Sequence, residues 1–253
     1  MPERIVSIGQ AMAPTAELAG TGRNGVGLTL RLGIRLALVL IAALTALCAI
    51  PAPVLAQQAA TGNISLNAQL LLAARQSDLP AVRRLLGQGA AADSRNRLGK
   101  TALMMAAERG QLDLAELMLA AGANVNLAAI DRSTPLMAAC FVGQAALARR
   151  LLDAGAQIDA SDRVAKTAMV YAAGQGHTEV VALLLDRGVA VDTAYDHRLT
   201  ALMWAAGQGQ TNVVSLLLER RADPALRDDR GLSAADIARQ GGHDAAADLL
   251  AAH

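Results

Sequence analysis

The feature that most constrains the fold is a 33-residue period that runs through the C-terminal three-quarters of the chain. A Thr or Ser followed by an apolar segment recurs without insertion in five copies: Thr101, Thr134, Thr167, Thr200 and Ser233. Ala68 begins a degenerate earlier copy. A fixed period of this length is typical of solenoids, in which each unit buries its apolar side by stacking on its neighbours.

Each unit is predicted to contain two short helices. The Thr or Ser is a good N-cap for the first helix, and Pro135 falls in the first turn, where a missing N–H costs little. Nine residues after the marker a Gly, such as Gly143, is expected to end this helix in the left-handed conformation. The apolar run 180–185 predicts an amphipathic second helix, and a second Gly, such as Gly188, ends it.

The predicted fold is therefore an all-α solenoid of about six repeats. Hydrophobic residues make up 53% of the chain and aromatic residues only 2%, which favours many small cores of Ala and Leu over one thick core. The first and last copies are atypical, as the water-facing caps of a solenoid are expected to be. The predicted repeats are 64–95, 96–128, 129–161, 162–194, 195–227 and 228–253.

The repeat resembles the ankyrin repeat. The resemblance rests on Thr134-Pro-Leu-Met-Ala-Ala, on the mid-repeat Gly and on Leu151-Leu-Asp-Ala-Gly-Ala, and it covers 64–253. Two departures stand out: Met replaces the usual His, as at Met137, and the loop Gly before the Thr is replaced in three copies by Arg132, Ala165 and Arg198. We expect these changes to weaken the loop hydrogen bonds without threatening the fold.

Residues 1–56 have the features of a secretory signal peptide. A polar region, 1–35, ends in Arg31 and Arg35, and an uncharged apolar core follows at 36–50. Val54-Leu-Ala predicts cleavage after Ala56, and 57–63 would form a short flexible lead. The mature protein is then expected to be periplasmic or secreted, from a bacterium. Two alternatives stay open: an uncleaved anchor in the inner membrane formed by 36–56, and a start at Met12 instead of Met1.

No residue pattern predicts catalysis, a cofactor or a metal site. Cys140 is the only cysteine outside the apolar core and takes the place of a packed Ala, while His177 and His243 occupy a helix-start position of the repeat. Asp228 and Asp229 fall in a loop, where a turn role is expected. With 23 basic and 22 acidic residues, the chain shows no bulk attraction for nucleic acid or anionic lipid.

The resemblance to ankyrin repeats implies that loop tips and first helices line a concave face that binds another protein. Phe141 falls at an outward helix position, whereas Tyr171 and Trp204 share a phase that predicts packing between first helices. The role of Tyr195 stays open. The candidate partner-binding residues are Arg97, Lys100, Arg109, Ile130, Asp131, Phe141, Val142, Arg163, Lys166, Tyr171, Asp196, His197 and Trp204.

The expected function is that of a monomeric, non-catalytic scaffold for protein–protein interaction. The mature chain would contact no membrane unless the signal stays uncleaved. The alternative is an accessory or protective factor for a periplasmic enzyme, or a secreted effector that acts on a host protein.

Overall fold

The computed structural model describes residues 66–253, so the predicted signal peptide 1–56, its alternative as an anchor at 36–56, and the lead 57–63 lie outside the described residues. The described part is all-α and has no strand, which confirms the predicted fold class. The first helices of successive repeats are 66–76, Ala102–Glu108, Pro135–Val142, Ala168–Gln175, Ala201–Gly207 and Ala234–Gln240. The second helices are Leu79–Gly87, Leu112–Ala120, Ala145–Asp153, Thr178–Asp186, Thr211–Glu219 and Asp244–Ala251.

Side-chain caps start the first helices where the sequence predicts them. The hydroxyl oxygen of Thr134 accepts a hydrogen bond from the Met137 N–H at 3.3 Å, and equivalent caps occur at Thr101, Thr167 and Thr200. The first copy differs, because its helix already includes residue 66, two positions before Ala68. Alanine has no side-chain oxygen with which to cap the helix at this phase.

The helices form two layers with a core of small side chains between them. First helices pack on first helices, second helices on second helices, and the two helices of a repeat pack on each other. The paired alanines of the first helices, such as Ala172 and Ala173, are completely buried, as is Cys140. The absence of a large side chain at these positions allows neighbouring helices to approach closely.

Polar side chains connect each repeat to the one before it. His177 is the N-cap residue of its second helix, and its Nε2 lies 2.8 Å from the Phe141 carbonyl oxygen in the preceding repeat. Its ring covers Gly143, where a Cβ would lie only 2.4 Å from His177 Nδ1. Gln210 likewise donates to the Gly174 carbonyl at 3.2 Å. The structural role predicted for His177 is therefore confirmed.

Backbone hydrogen bonds join the loop tips of adjacent repeats. The Ile130 N–H donates to Leu98 O at 3.0 Å, Arg163 to Asp131 O at 3.0 Å, and Asp229 to His197 O at 3.1 Å. Between the fourth and fifth of the predicted repeats, no equivalent bond joins Val164 and Asp196, although both residues are described. At this point His197 takes a positive φ of 55°, which re-shapes the fifth loop.

At the loop position before the Thr, the expectation of weakened hydrogen bonds was wrong. Ala165 and Arg198 adopt a left-handed φ of 57°, in the same region as Gly99 at 75° and Gly231 at 78° in their copies. The turn hydrogen bond therefore persists, for example from Ala165 N to Asp162 O at 3.2 Å and from Arg198 N to Tyr195 O at 3.0 Å. The cost of losing the glycine is backbone strain, since a Cβ disfavours this conformation.

Candidate functional site

Four side chains meet on the first-helix layer in the middle of the array. The Phe141 side chain is prominent on this surface, with 48% exposure. It meets the Tyr171 ring edge-on, at a centroid distance of 5.7 Å and an interplanar angle of 84°. The Lys166 Nζ lies 4.9 Å from the Trp204 ring centroid and 5.7 Å from that of Tyr171. We refer to Phe141, Lys166, Tyr171 and Trp204 as the aromatic cluster.

The phase of the repeat explains the different burial of the three rings. Tyr171 and Trp204 stand four residues after their capping Thr, and both are half-buried against the core, so the packing predicted for them is confirmed. Phe141 stands seven residues after Thr134, on the outward side of its helix. The ring pair and the stacked ammonium hold these side chains in place before any partner arrives.

The buried Asp162 side chain holds two members of the aromatic cluster, Lys166 and Tyr171, by hydrogen bonds, and the sequence analysis did not identify it. Its carboxylate accepts a hydrogen bond from the Tyr171 hydroxyl and, through Oδ1, from the Val164 and Lys166 N–H groups at 2.9 Å each. Burial and this hydrogen bond raise the pKa of Tyr171, so the phenol stays neutral and donates. Asp162 shares its phase with Asp228, whose carboxylate caps the Arg230 and Leu232 N–H groups as predicted for a turn. The shared phase of Asp162 and Asp228 was the sequence signal that could have identified Asp162 as a turn-capping residue.

Two hollows flank the Phe141 and Tyr171 rings. The first, of about 320 Å³, is lined by Glu108, Asp131 and Val142 among others. The second, of about 150 Å³, lies between Phe141, Lys166, Trp204 and the two glutamines Gln175 and Gln208, with Gly174 in its wall. We call this second hollow the trough.

The remaining predicted residues differ in how much of their polar surface is free. The Lys100 ammonium forms an ion pair with Glu108, and the Arg109 guanidinium donates to the Arg75 carbonyl of the preceding repeat. Hydrogen bonds from Ser133 lower the pKa of Asp131, which keeps this carboxylate ionised.

Five predicted residues lie exposed at the loop tips: Arg97, Ile130, Arg163, Asp196 and His197. In the part of the chain that the structure describes, none of these five forms a hydrogen bond, ion pair or ring contact with the aromatic cluster. His197 instead faces Asp229, with Nδ1 3.6 Å from its carboxylate. The predicted site thus resolves into a central cluster and a separate row of loop tips.

The near-neutral net charge conceals a division between the two layers. The first helices, taken together with the hairpin loops before them, hold twelve Lys or Arg and seven Asp or Glu residues. These segments are 66–76, 95–109, 128–142, 161–175, 194–208 and 227–240. The second helices and the connections around them hold seven basic and thirteen acidic residues. The side that carries the aromatic cluster is therefore net positive, which the total charge does not reveal.

Two features of the described residues bear on chemistry: the clustering of metal-ligating side chains and the state of the Cys140 thiol. No group of three or more His, Cys, Asp or Glu side chains in 66–253 is placed to hold a metal ion. Burial raises the pKa of Cys140 to about 12, so this thiol is a packed side chain and not a ready nucleophile. Burial also raises the pKa of Tyr195, which packs against the core. None of the described helices has the length and apolarity needed to cross a bilayer.

Comparison with known proteins identifies one family. A family model described as ankyrin repeats in three copies matches residues 70–162 and again 160–228. No curated protein sequence matches the chain significantly.

Proposed function

Because the chain belongs to the ankyrin-repeat family, we propose that its array is a non-catalytic scaffold that binds a partner protein on the concave face, centred on Phe141 to Trp204. Ankyrin repeats are generally protein–protein interaction modules. The observation that carries the proposal for this chain is Phe141, which is 48% exposed beside two half-buried aromatic rings.

The surface has the properties of a binding hot spot. Aromatic side chains that are fixed in place supply contact area at low entropic cost, and residues of this kind dominate the energetics of protein interfaces. The edge-on contact with Tyr171 holds Phe141, and the hydrogen bond to Asp162 holds Tyr171. The exposed Arg163 belongs to the adjacent loop tip and extends the surface.

Affinity capture from extracts of the native cells, quantified by mass spectrometry, tests this proposal. The bait is the full chain with a C-terminal tag, and we expect Phe141→Ala and Arg163→Glu each to reduce capture of the same partner about tenfold or more. Arg149→Glu is the matched control, because it makes the same charge change at an exposed position on a second helix. Equal capture by wild type, Phe141→Ala and Arg163→Glu would show that the partner binds elsewhere.

We also propose that the array acts outside the cytoplasm of a bacterium. The support is the sequence of 1–56, in which a basic region, an apolar core and a Val-x-Ala site follow in the order of a signal peptide. N-terminal sequencing of the protein recovered after expression in a bacterial host should find Gln57 first. Recovery of the uncleaved chain in the membrane fraction would instead support the anchor at 36–56.

A further inference from the structure

Two lysines at the same phase of the repeat have different surroundings. Lys100 and Lys166 each stand one residue before a capping Thr. The Lys100 ammonium forms an ion pair with Glu108. The half-buried Lys166 ammonium faces two aromatic rings, and no carboxylate oxygen among residues 66–253 lies within ion-pair distance of it.

The difference arises from one position in the first helix. Glu108 stands seven residues after Thr101, and the residue seven after Thr167 is Gly174. The carboxylate that pairs with the lysine in one repeat is therefore missing from the other. Gly174 lines the trough between Phe141 and Trp204, so the trough is the space that a carboxylate at this position would fill.

Packing does not explain the glycine at this position. Gly174 lies inside the helix Ala168–Gln175, and the nearest atom to a Cβ built there is Gln208 Cγ, at 4.0 Å. At Gly207, the same phase in the next repeat, a Cβ would come within 3.0 Å of Ile237 Cγ2. Glycine inside a helix is unfavourable relative to other residues, so Gly174 carries a cost that its neighbours do not require.

We propose that the trough binds a carboxylate side chain of the partner protein, which pairs with Lys166 as Glu108 pairs with Lys100. This inference rests on the proposed function and specifies the partner's chemistry: an Asp or Glu beside a large apolar residue that contacts Phe141. The Gln175 and Gln208 amides at the rim can hydrogen-bond the partner's backbone. The net positive charge of the first-helix side favours the approach of an acidic segment.

An acidic protein segment fits this surface better than a nucleic acid does. The trough offers a single ammonium, and the neighbouring hollow is lined by the carboxylates of Glu108 and Asp131, which repel a row of phosphates. The apolar walls provided by Phe141 and Trp204 suit one carboxylate-bearing side chain with an apolar neighbour.

The decisive variant restores the missing carboxylate within the chain. Gly174→Glu should fold, because the position is helical and open, and its carboxylate should occupy the trough and pair with Lys166. Lys166→Gln removes the positive charge and leaves the trough open. Arg149→Gln is the matched control, since it removes one positive charge from an exposed position on a second helix.

The probe is a random linear peptide display library selected on the full chain, followed by fluorescence anisotropy with the enriched peptide made synthetically. We expect enriched peptides to carry Asp or Glu beside an aromatic or long aliphatic residue. Loss of a charge-assisted hydrogen bond should weaken binding roughly tenfold to a hundredfold for Gly174→Glu and for Lys166→Gln. Arg149→Gln should bind like wild type, and thermal denaturation should show Gly174→Glu at least as stable as wild type.

Several results would overturn the inference. These are enriched peptides without acidic residues, undiminished binding to Gly174→Glu, a selection with no Lys166-dependent peptide, or an oligothymidylate that displaces the peptide from the trough. Loss of partner capture by Phe141→Ala together with full capture by Gly174→Glu would reject the carboxylate site and leave the proposed function standing. Capture that is unaffected by Phe141→Ala and by Arg163→Glu would reject the proposed function itself.

Discussion

Replacing Gly143 by Ala perturbs both the backbone of one repeat and its junction with the next. Gly143 ends its helix at a φ of 80°, and a Cβ in this left-handed region costs about 1–2 kcal/mol. The same Cβ would lie 2.4 Å from His177 Nδ1, so the ring must move and its 2.8 Å contact with the Phe141 carbonyl is lost. A lost hydrogen bond is worth about 0.5–1.5 kcal/mol, and overpacking costs about 1–3 kcal/mol.

Gly155→Ala is the matched control for this substitution. Gly155 has a φ of 86°, and nothing lies within 4 Å of a Cβ built there, so only the backbone cost of about 1–2 kcal/mol applies. Gly143→Ala should therefore destabilise the array by about 2 kcal/mol more than Gly155→Ala.

Urea denaturation of the full-length variants, followed by far-UV circular dichroism, measures both free energies of unfolding. A double-mutant cycle with His177→Ala isolates the junction, because without the ring Gly143→Ala should cost no more than Gly155→Ala does. Equal losses for Gly143→Ala and Gly155→Ala in the wild-type background would refute the reasoning, since the contact between repeats would then contribute nothing.

Two further predictions concern loop strain and pH. Ala165→Gly should raise the free energy of unfolding by about 1 kcal/mol, since Ala165 has a φ of 57° and glycine adopts this conformation without strain; no gain in a urea titration would contradict the strain argument. Asp236→Asn should lower the melting temperature near neutral pH, because hydrogen bonds from Ser233 lower the pKa of Asp236 in the folded state. A lowered folded pKa stabilises the fold above the unfolded value of about 4, and this contribution disappears as the pH falls through the folded pKa. Melting curves across that range should show the two proteins converging as the pH falls, and a constant difference would show that the carboxylate charge is not responsible.

The sequence predicts most of the fold because the period repeats local physics. A hydroxyl that caps a helix, as at Thr134, or a glycine that ends one, as at Gly143, acts within a few residues of itself. Five copies at one phase then make these local signals specific. The loop substitutions were harder to interpret. A sequence does not show whether Ala165 loses its turn hydrogen bond or keeps the bond in a strained left-handed conformation. In the structure the bond is kept and the backbone is strained.

The candidate surface was less accessible to sequence reasoning, because its contacts cross from one repeat to another. The outward position of Phe141 followed from the phase alone. The stacking of Lys166 on Trp204 joins residues 38 positions apart in the chain, and it depends on side-chain directions that a period does not encode. The exchange of Glu108 for Gly174 was visible in the aligned copies, but it acquires meaning only once Lys100 is seen to form its ion pair.

The missing backbone bond between Val164 and Asp196 gives the array an uneven stiffness. Hydrogen bonds at the other three junctions between hairpin loops resist separation of the tips, while the helices hold the opposite side together. A bend between the fourth and fifth repeats would break no backbone hydrogen bond between the loop tips. Lys166 and Trp204, which line the trough, lie on opposite sides of this junction. We therefore expect the elastic compliance of the array to be greatest at the trough, where a bound partner side chain would require it to widen.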